Sequence, residues 1–381
     1  MSADDTWRGE ARSGAAWFGH RVRALLPRGA DYRAMRIAPG RDLIAGITVG
    51  VVALPLALAF GITSGLGAAA GLITAIVAGT VAAVFGGSNL QISGPTGAMT
   101  VVLVPIVAEY GANGVLVVGL MAGLLLVVMA IAGLGRYVRF IPLPVIEGFT
   151  LGIAVIIALQ QVPSALGVDV SGEQVVIVAV KSVGQWVTSP QWVPVAIAAG
   201  VAGLMIVAAR LRIKPAVPVA LIAVVAATIV VQVADLDVAT IGALPSTLPL
   251  PSLPAFTFSD LRILIAPAVA VAALAALESL LSATVADAMS VSQRHDPDRE
   301  LFGQGLANVA SPLFGGIPAT AAIARTAVNV RSGAVSRLSA IVHSAVLLVV
   351  VLALSTVVGL IPLAALAGVL IATALRMVEV S

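Results

Sequence analysis

Apolar stretches, separated by short polar or Gly/Pro-rich interruptions, follow one another along most of the chain. A helix needs about 17 to 25 apolar residues to cross the roughly 30 Å hydrocarbon core of a bilayer. The stretches that are long enough are 42–62, 66–86, 115–134, 142–162, 192–211, 215–234, 262–288, 336–358 and 361–378. Shorter or broken stretches occur at 94–110, 302–314 and 318–330. The pattern predicts an all-α polytopic membrane protein with about twelve segments.

Composition supports the same class of protein. Of the 381 residues, 60% are apolar and 10% are charged, which is too few polar groups for the surface of a soluble domain. Because the chain has no cysteine, it has neither a disulfide framework nor a thiolate metal site. We find no Ser/His/Asp set, no cluster of metal ligands and no phosphate-binding loop. The sequence therefore predicts no enzyme and no bound cofactor or metal.

The basic residues indicate the orientation of the segments. If the segments alternate in direction, all but three of the 21 Lys and Arg residues lie on one side of the membrane. The positive-inside rule makes that side the cytoplasm, and the N-terminus is then cytoplasmic. Residues 1–41 are predicted to form a cytosolic basic tail, since they lack the apolar core of a signal peptide. With a net charge of +3 and dispersed basic residues, nucleic acid is not an expected partner, whereas membrane lipid is.

Two connecting stretches have a composition of their own. Residues 235–259 contain Asp235 and Asp237, several prolines and no Lys or Arg, which predicts an extracellular loop. Residues 171–188 mix polar side chains and Trp186 with valines. That mixture favours a helix lying in the membrane interface over one that crosses the bilayer.

An internal repeat predicts the functional site. Phe-Gly-Gly occurs at 85–87 and at 314–316, followed by Pro-Thr-Gly at 95–97 and Pro-Ala-Thr at 318–320, and each apolar run after it is too short to span. Paired interrupted segments are typical of transporters built from inverted repeats. On the predicted topology two half-helices start near the midplane with their N-termini facing each other. Since helix N-termini carry free N–H groups and partial positive charge, they would form an anion site from backbone. The alternative is that each motif is an ordinary turn.

One charge of each sign lies at membrane depth. Glu278 is far from other charged residues in its apolar segment, and a carboxylate at that depth is typical of an ion or proton pathway. Ser282 follows at i+4, on the same helix face. The alternative is that Glu278 only ties helices together. Two roles are open to Arg325: it adds positive potential to the anion site, or it extends to the cytoplasmic interface with its head in water.

Several stretches carry a family resemblance: ALPLALAFGITSG (53–65), SGPTGAMTVV (93–102), IGALPSTLPLPSLPAF (241–256), ESLLSATVAD (278–287), RELFGQGLANVASPLFGGIPATAAIARTAVNVRSGAVSRLSAIVH (299–343) and IPLAALAGVLIATALRMV (361–378). Over about residues 40 to 380 the chain resembles the bacterial SulP anion permeases, relatives of the animal transporters that include pendrin and prestin. The resemblance implies a seven-plus-seven inverted repeat in the cell inner membrane. It also implies a substrate-holding core domain that moves against a gate domain, usually as a homodimer, and a cytosolic STAS domain after the last helix.

The resemblance also assigns segments to these domains. The core domain corresponds to 42–134 and 260–358, the first half of the gate domain to 139–234, and the start of its second half to 361–381. The chain ends before the last two gate helices and the STAS domain that the family would have.

Carried over position by position, the resemblance implies an anion site made of one aromatic side chain, one basic side chain and backbone from both half-helix starts. Its residues would be Phe60, Gly94, Pro95, Thr96, Gly97, Ala319, Thr320, Ala321, Ala322 and Arg325. The coupling ion would bind at Glu278, with Ser282 beside it.

Two departures bear on the substrate. Leu56 stands where many sulfate and chloride members have Gln, which argues against sulfate, and Glu278 stands where sodium-driven bicarbonate members have Asp. A protonatable Glu favours proton over sodium coupling. The sequence thus predicts a secondary active transporter of small anions that works by alternating access, with a dicarboxylate such as fumarate, or bicarbonate, ahead of sulfate. A nucleobase permease of similar fold and an anion channel are the alternatives.

Overall fold

The computed structural model describes residues 19–140, 143–170, 172, 174–211, 217–290 and 294–379. Residues 1–18 of the predicted tail lie outside the described residues, as do 212–216 near the predicted boundary of two spans. The helices are α1 (Gly29–Arg33), α2 (Pro39–Thr63), α3 (Ala68–Phe85), α4 (Gly97–Ala132), α5 (Leu143–Gln160), α6 (Val162–Leu166), α7 (Val175–Thr188), α8 (Trp192–Arg210), α9 (Val219–Val233), α10 (Phe258–Met289), α11 (Pro297–Leu313), α12 (Ile323–Arg331), α13 (Leu338–Gly359) and α14 (Leu363–Glu379). Two short strands are β1 (Ser93–Gly94) and β2 (Thr320–Ala321).

The helices confirm the predicted membrane class. Seven helical stretches among the described residues are long and apolar enough to cross a bilayer: Pro39–Thr63, Ala68–Phe85, Gly97–Ala132, Glu147–Leu166, Trp192–Arg210, Asp260–Met289 and Leu338–Gly359. Large apolar side chains such as Val233, Ile263 and Leu352 are more than half exposed on the outside of the bundle. Such an apolar outer surface is suited to contact with lipid rather than water.

Helix α4 joins two stretches that the sequence analysis separated, 94–110 and 115–134. Its 36 residues form one helical stretch, but Gly111 breaks the helical geometry with a φ of 68°. Only glycine adopts this left-handed region readily, so the residue type permits the break. The first part of α4 is therefore a half-helix of about 20 Å, at 1.5 Å per residue.

The helices pack in two groups. Helices α2, α3, α4, α10, α11, α12 and α13 form the first helix group, and α5 to α9 with α14 form the second. Glycines lie where helices within each group pack very closely. A Cβ at Gly46 of α2 would lie 2.5 Å from the Ser339 carbonyl oxygen of α13. A Cβ at Gly368 of α14 would lie 2.5 Å from the Ala198 carbonyl oxygen of α8. Small residues at such crossings let helix backbones pack closely in a membrane.

The two connections that leave the ends of α9 and α13 are paired with each other. Thr240 pairs antiparallel with Pro362, the Leu363 N–H donates to the Ala239 oxygen at 2.9 Å, and the Ile241 N–H donates to the Ile361 oxygen at 3.0 Å. Each connection runs between the first and the second helix group. Apart from this pairing, the predicted loop 235–259 is largely irregular up to the start of α10.

Part of the predicted N-terminal tail is folded onto the first helix group. Arg299 of α11 donates two hydrogen bonds to the Asp31 carboxylate, at 3.2 and 2.6 Å, and the Tyr32 hydroxyl donates to the Val84 oxygen at 3.0 Å. Leu25 is buried. The described residues 19–36 are thus not a free extension, because a few specific partners hold them.

Candidate functional site

The two short strands bring the predicted half-helix starts together. Strands β1 and β2 pair antiparallel, with Ser93 opposite Ala321 and Gly94 opposite Thr320. Helix α4 begins three residues after β1, and α12 begins two residues after β2. Because the strands are antiparallel, the two helices leave the pair in opposite directions. Helix α12 has nine residues, about 14 Å, and is too short to span the membrane.

Each helix start presents backbone N–H groups, but the two starts are capped differently. The Thr96 side chain accepts a hydrogen bond from the Met99 N–H at 3.3 Å. Ala322, at the corresponding position before α12, has no side chain that can cap. The first turn of a helix lacks intrahelical acceptors for its N–H groups, so an anion is a natural partner there.

Glu278 of α10 joins the two halves of the site. The Thr96 and Thr320 hydroxyls both donate to the same oxygen, Glu278 Oε2, at 2.8 and 2.6 Å. The Glu278 side chain is half-buried. The Ser282 hydroxyl is fully buried and donates to the Thr326 hydroxyl at 3.0 Å. The carboxylate therefore has one donor from each repeat, while Ser282 supports the start of α12.

Arg325 lies inside the protein, which excludes the interfacial position that the sequence left open. Its side chain is 2% exposed, and Nη2 donates to the Pro95 oxygen at 2.8 Å. Nη1 is buried and has no hydrogen-bond partner among the described residues. A Cβ at Gly94 would lie 2.7 Å from Nη1, so only glycine leaves this approach open. A buried guanidinium with an unused donor is costly unless a ligand satisfies it.

The site borders the second helix group. A Cβ at Gly97 would collide with Ile157 Cδ1 of α5 and would lie 3.2 Å from Phe60 Cε1. Phe60 and Ile157 are both buried. The start of α4 is thus covered by one side chain from each helix group. The sequence analysis did not identify Ile157, since an isoleucine in an apolar helix carries no signal of its own.

Other polar side chains hold β1 and β2 in place, and the sequence analysis did not identify them either. The Ser279 hydroxyl accepts from the Ala321 N–H at 3.2 Å. The Gln91 side-chain amide donates to the backbone carbonyl oxygen of Ser279 at 2.7 Å. The Ile92 N–H donates to the Thr326 hydroxyl at 3.1 Å. The available signal was the presence of small polar residues in otherwise apolar stretches.

A cavity lies at the boundary of the two helix groups, near the end of α2. Its volume is about 930 Å³, and its lining includes Thr63, Gln161 and Asp169. The Gln161 amide donates to the Thr63 hydroxyl at 3.2 Å, which links the groups across the cavity wall. Among the residues that the structure describes, no group of three or more His, Asp or Glu could hold a metal ion.

Opposed half-helices beside a buried arginine and a half-buried carboxylate are typical of membrane proteins built from inverted repeats. Residues 40–381 match the sulfate permease family, and the chain belongs to that family.

The chain is 43% identical over 349 residues to the putative sulfate transporter YvdB of Bacillus subtilis, covering 89% of this chain and 64% of that protein. It is 35% identical over 343 residues to the bicarbonate transporter BicA of Picosynechococcus, covering 86% of this chain and 60% of that protein. The chain thus spans less than two thirds of the length of either relative.

Solved structures agree with the fold. The transmembrane domain of a cyanobacterium bicarbonate transporter BicA superposes with a TM-score of 0.84 at 33% identity, over 91% of this chain and 89% of that one. SLC26A9 superposes with a TM-score of 0.80 at 16% identity, over 99% of this chain and 63% of that one. The second match concerns the fold alone.

Proposed function

We propose that this protein is a secondary active transporter of small anions that works by alternating access. The observation that carries the proposal is Arg325 Nη1, a buried cationic donor with no hydrogen-bond partner among the described residues, beside two opposed helix starts. Substrate would bind between Phe60, Arg325 and the backbone of 94–97 and 319–322. The positive charge of Arg325 and the N–H groups in the first turns of α4 and α12 favour an anion over a cation.

Coupling to protons is assigned to Glu278. A bound anion cancels part of the positive potential around the carboxylate and so favours its protonated form. By linkage, the proton then tightens anion binding by the same factor. Symport follows from this reciprocity even if carboxylate and anion do not touch. Sodium is the less favoured coupling ion.

The substrate is proposed to be bicarbonate or a dicarboxylate such as fumarate, ahead of sulfate. Similarity to bicarbonate transporters supports the first. Similarity to the putative sulfate transporter YvdB supports sulfate, whereas Leu56, at the position where many sulfate and chloride members have Gln, argues against it. In the proposed arrangement the first helix group is the core domain and the second is the gate domain. The protein would be a homodimer in the cell inner membrane with its N-terminus in the cytoplasm.

Uptake into proteoliposomes tests the proposal. The purified protein would be supplied with radiolabelled bicarbonate, fumarate, sulfate or uracil, under an inward proton gradient, an inward sodium gradient or neither. Saturable, uphill uptake of an anion under the proton gradient is expected. Flux that only follows the anion's own gradient would instead indicate a channel, and uptake of uracil alone would indicate a nucleobase permease.

A further inference from the structure

Helix α11 carries a stripe of polar side chains that the proposed transport cycle does not use directly. The stripe consists of Glu300, Gln304, Asn308 and Ser311, each no more than 2% exposed. Their spacing of four, four and three residues places them on one face of the helix. Buried polar groups in a membrane protein are costly unless each is hydrogen-bonded, so their partners indicate their purpose.

The first half of the stripe holds the segment that leads into β1. Glu300 Oε2 accepts from the Gly87 and Ser88 N–H groups, at 2.9 and 3.1 Å. Gln304 Nε2 donates to the Ser93 hydroxyl at 2.7 Å. These contacts fix the chain between the end of α3 and the start of α4.

The second half holds the segment that leads into β2. Asn308 Oδ1 accepts from the Ala319 N–H at 2.8 Å, and Asn308 Nδ2 donates to the Ala319 oxygen at 2.9 Å. One amide side chain thus satisfies both backbone groups of Ala319, as a neighbouring strand would. The Ser311 hydroxyl donates to the Ile317 oxygen at 2.8 Å.

The helix that carries the stripe is itself held closely. A Cβ at Gly303 would collide with the Gly86 nitrogen, and one at Gly305 would lie 2.8 Å from the Gly123 oxygen. Helix α11 therefore packs against the end of α3 and the second part of α4 with backbone near backbone. A rigid element that binds both extended segments determines how far apart they lie.

We propose that Asn308 is a positioning and specificity-determining residue, which sets the separation between the two halves of the anion site. Ala319 immediately precedes Thr320, whose hydroxyl reaches Glu278. When Ala319 loses its two hydrogen bonds, β2 shifts relative to β1, and the start of α12 shifts with it. The site then fits anions of a given size less well, although Asn308 itself touches none of them. This inference rests on the proposed function.

The test compares Asn308→Ala, the milder Asn308→Ser and the control Thr284→Val. The Thr284 hydroxyl donates to the backbone oxygen of Leu280, in its own helix, at 2.8 Å. In the sequence, Thr284 is far from both strands. KM and Vmax for bicarbonate and for fumarate would be measured in proteoliposomes, with melting temperature as the measure of folding. We expect Asn308→Ala to raise KM about tenfold, the effect of losing one or two hydrogen bonds, with a smaller change in Vmax. The ratio of the two KM values should change, and Asn308→Ser should act in the same direction.

An unchanged KM ratio in folded Asn308→Ala and Asn308→Ser would overturn the inference. A loss of Vmax with unchanged KM values would do the same, because it would indicate a structural role alone. If Asn308→Ala does not fold, Asn308→Ser decides. If the wild type carries none of bicarbonate, fumarate and sulfate, the proposed function is wrong and the inference falls with it.

Discussion

Gly97 and Ile157 meet where the two helix groups meet. The space that a side chain at Gly97 would occupy is already filled by Ile157 Cδ1. Gly97 is the first residue of α4, so its backbone N–H has no acceptor within the helix and is one of the groups proposed to bind the anion. A side chain at Gly97 would therefore compete with Ile157 for the same space.

Replacing Gly97 by leucine should abolish anion uptake while the protein still folds. The new side chain would displace Ile157 and cover the N–H groups at the start of α4. Gly203→Leu on α8 is the control, since a Cβ at Gly203 meets no atom within 4 Å. Uptake by Gly97→Leu at the control rate, with equal yield of folded protein, would contradict the backbone site.

Arg325→Ala should weaken transport of a divalent anion more than transport of a monovalent one. A lost positive charge interacts with twice the charge on the divalent anion, so the loss of binding free energy is about twice as large. KM for sulfate or fumarate would be compared with KM for bicarbonate. Arg331→Ala is the control, because Arg331 is an exposed residue at the end of the same helix. Equal effects on both anion classes would argue that Arg325 serves structure only.

Glu278→Gln should retain anion exchange but lose accumulation driven by a proton gradient. The Gln oxygen can still accept from Thr96 and Thr320, whereas the side chain can no longer exchange a proton. Uphill uptake and exchange would be measured in the same proteoliposomes, with Glu147→Gln, an exposed position, as the control. If Glu278→Gln still concentrates the anion under a proton gradient, the proton is carried elsewhere.

Asp31→Asn should loosen the N-terminal segment. Burial alone would raise the pKa of the Asp31 carboxyl, but hydrogen bonds from Arg299 and the Arg28 N–H lower the pKa below its ordinary value of 3.8. The pair therefore contributes stability at neutral pH and loses it only as the pH falls below that value. For this partly exposed pair we expect a loss of about 1 kcal/mol, seen as a lower Tm and faster proteolysis near residue 31. Asp237→Asn, in an exposed connection, should change neither.

Helices and half-helices were predictable because a bilayer requires long apolar runs and because glycine and proline mark interruptions. The sequence could not predict which distant groups meet. Arg325 reaches Pro95 across 230 positions, and nothing in its local sequence indicates that the guanidinium turns inward. Asn308 likewise looked like a polar residue in a short segment, since its role depends on Ala319 lying beside it. The pairing of Asp31 with Arg299, which helps to hold residues 19–36, likewise has no local signal.

The pairing of β1 with β2 also bears on how the protein is made. Ser93 is synthesised well before its partner Ala321, and at about 5 to 20 residues per second the interval is roughly 10 to 45 s. During that time the backbone of β1 has no strand to bond with, in or near a membrane where unpaired backbone groups are costly. The first repeat therefore cannot complete this backbone hydrogen bonding until the second repeat has been synthesised.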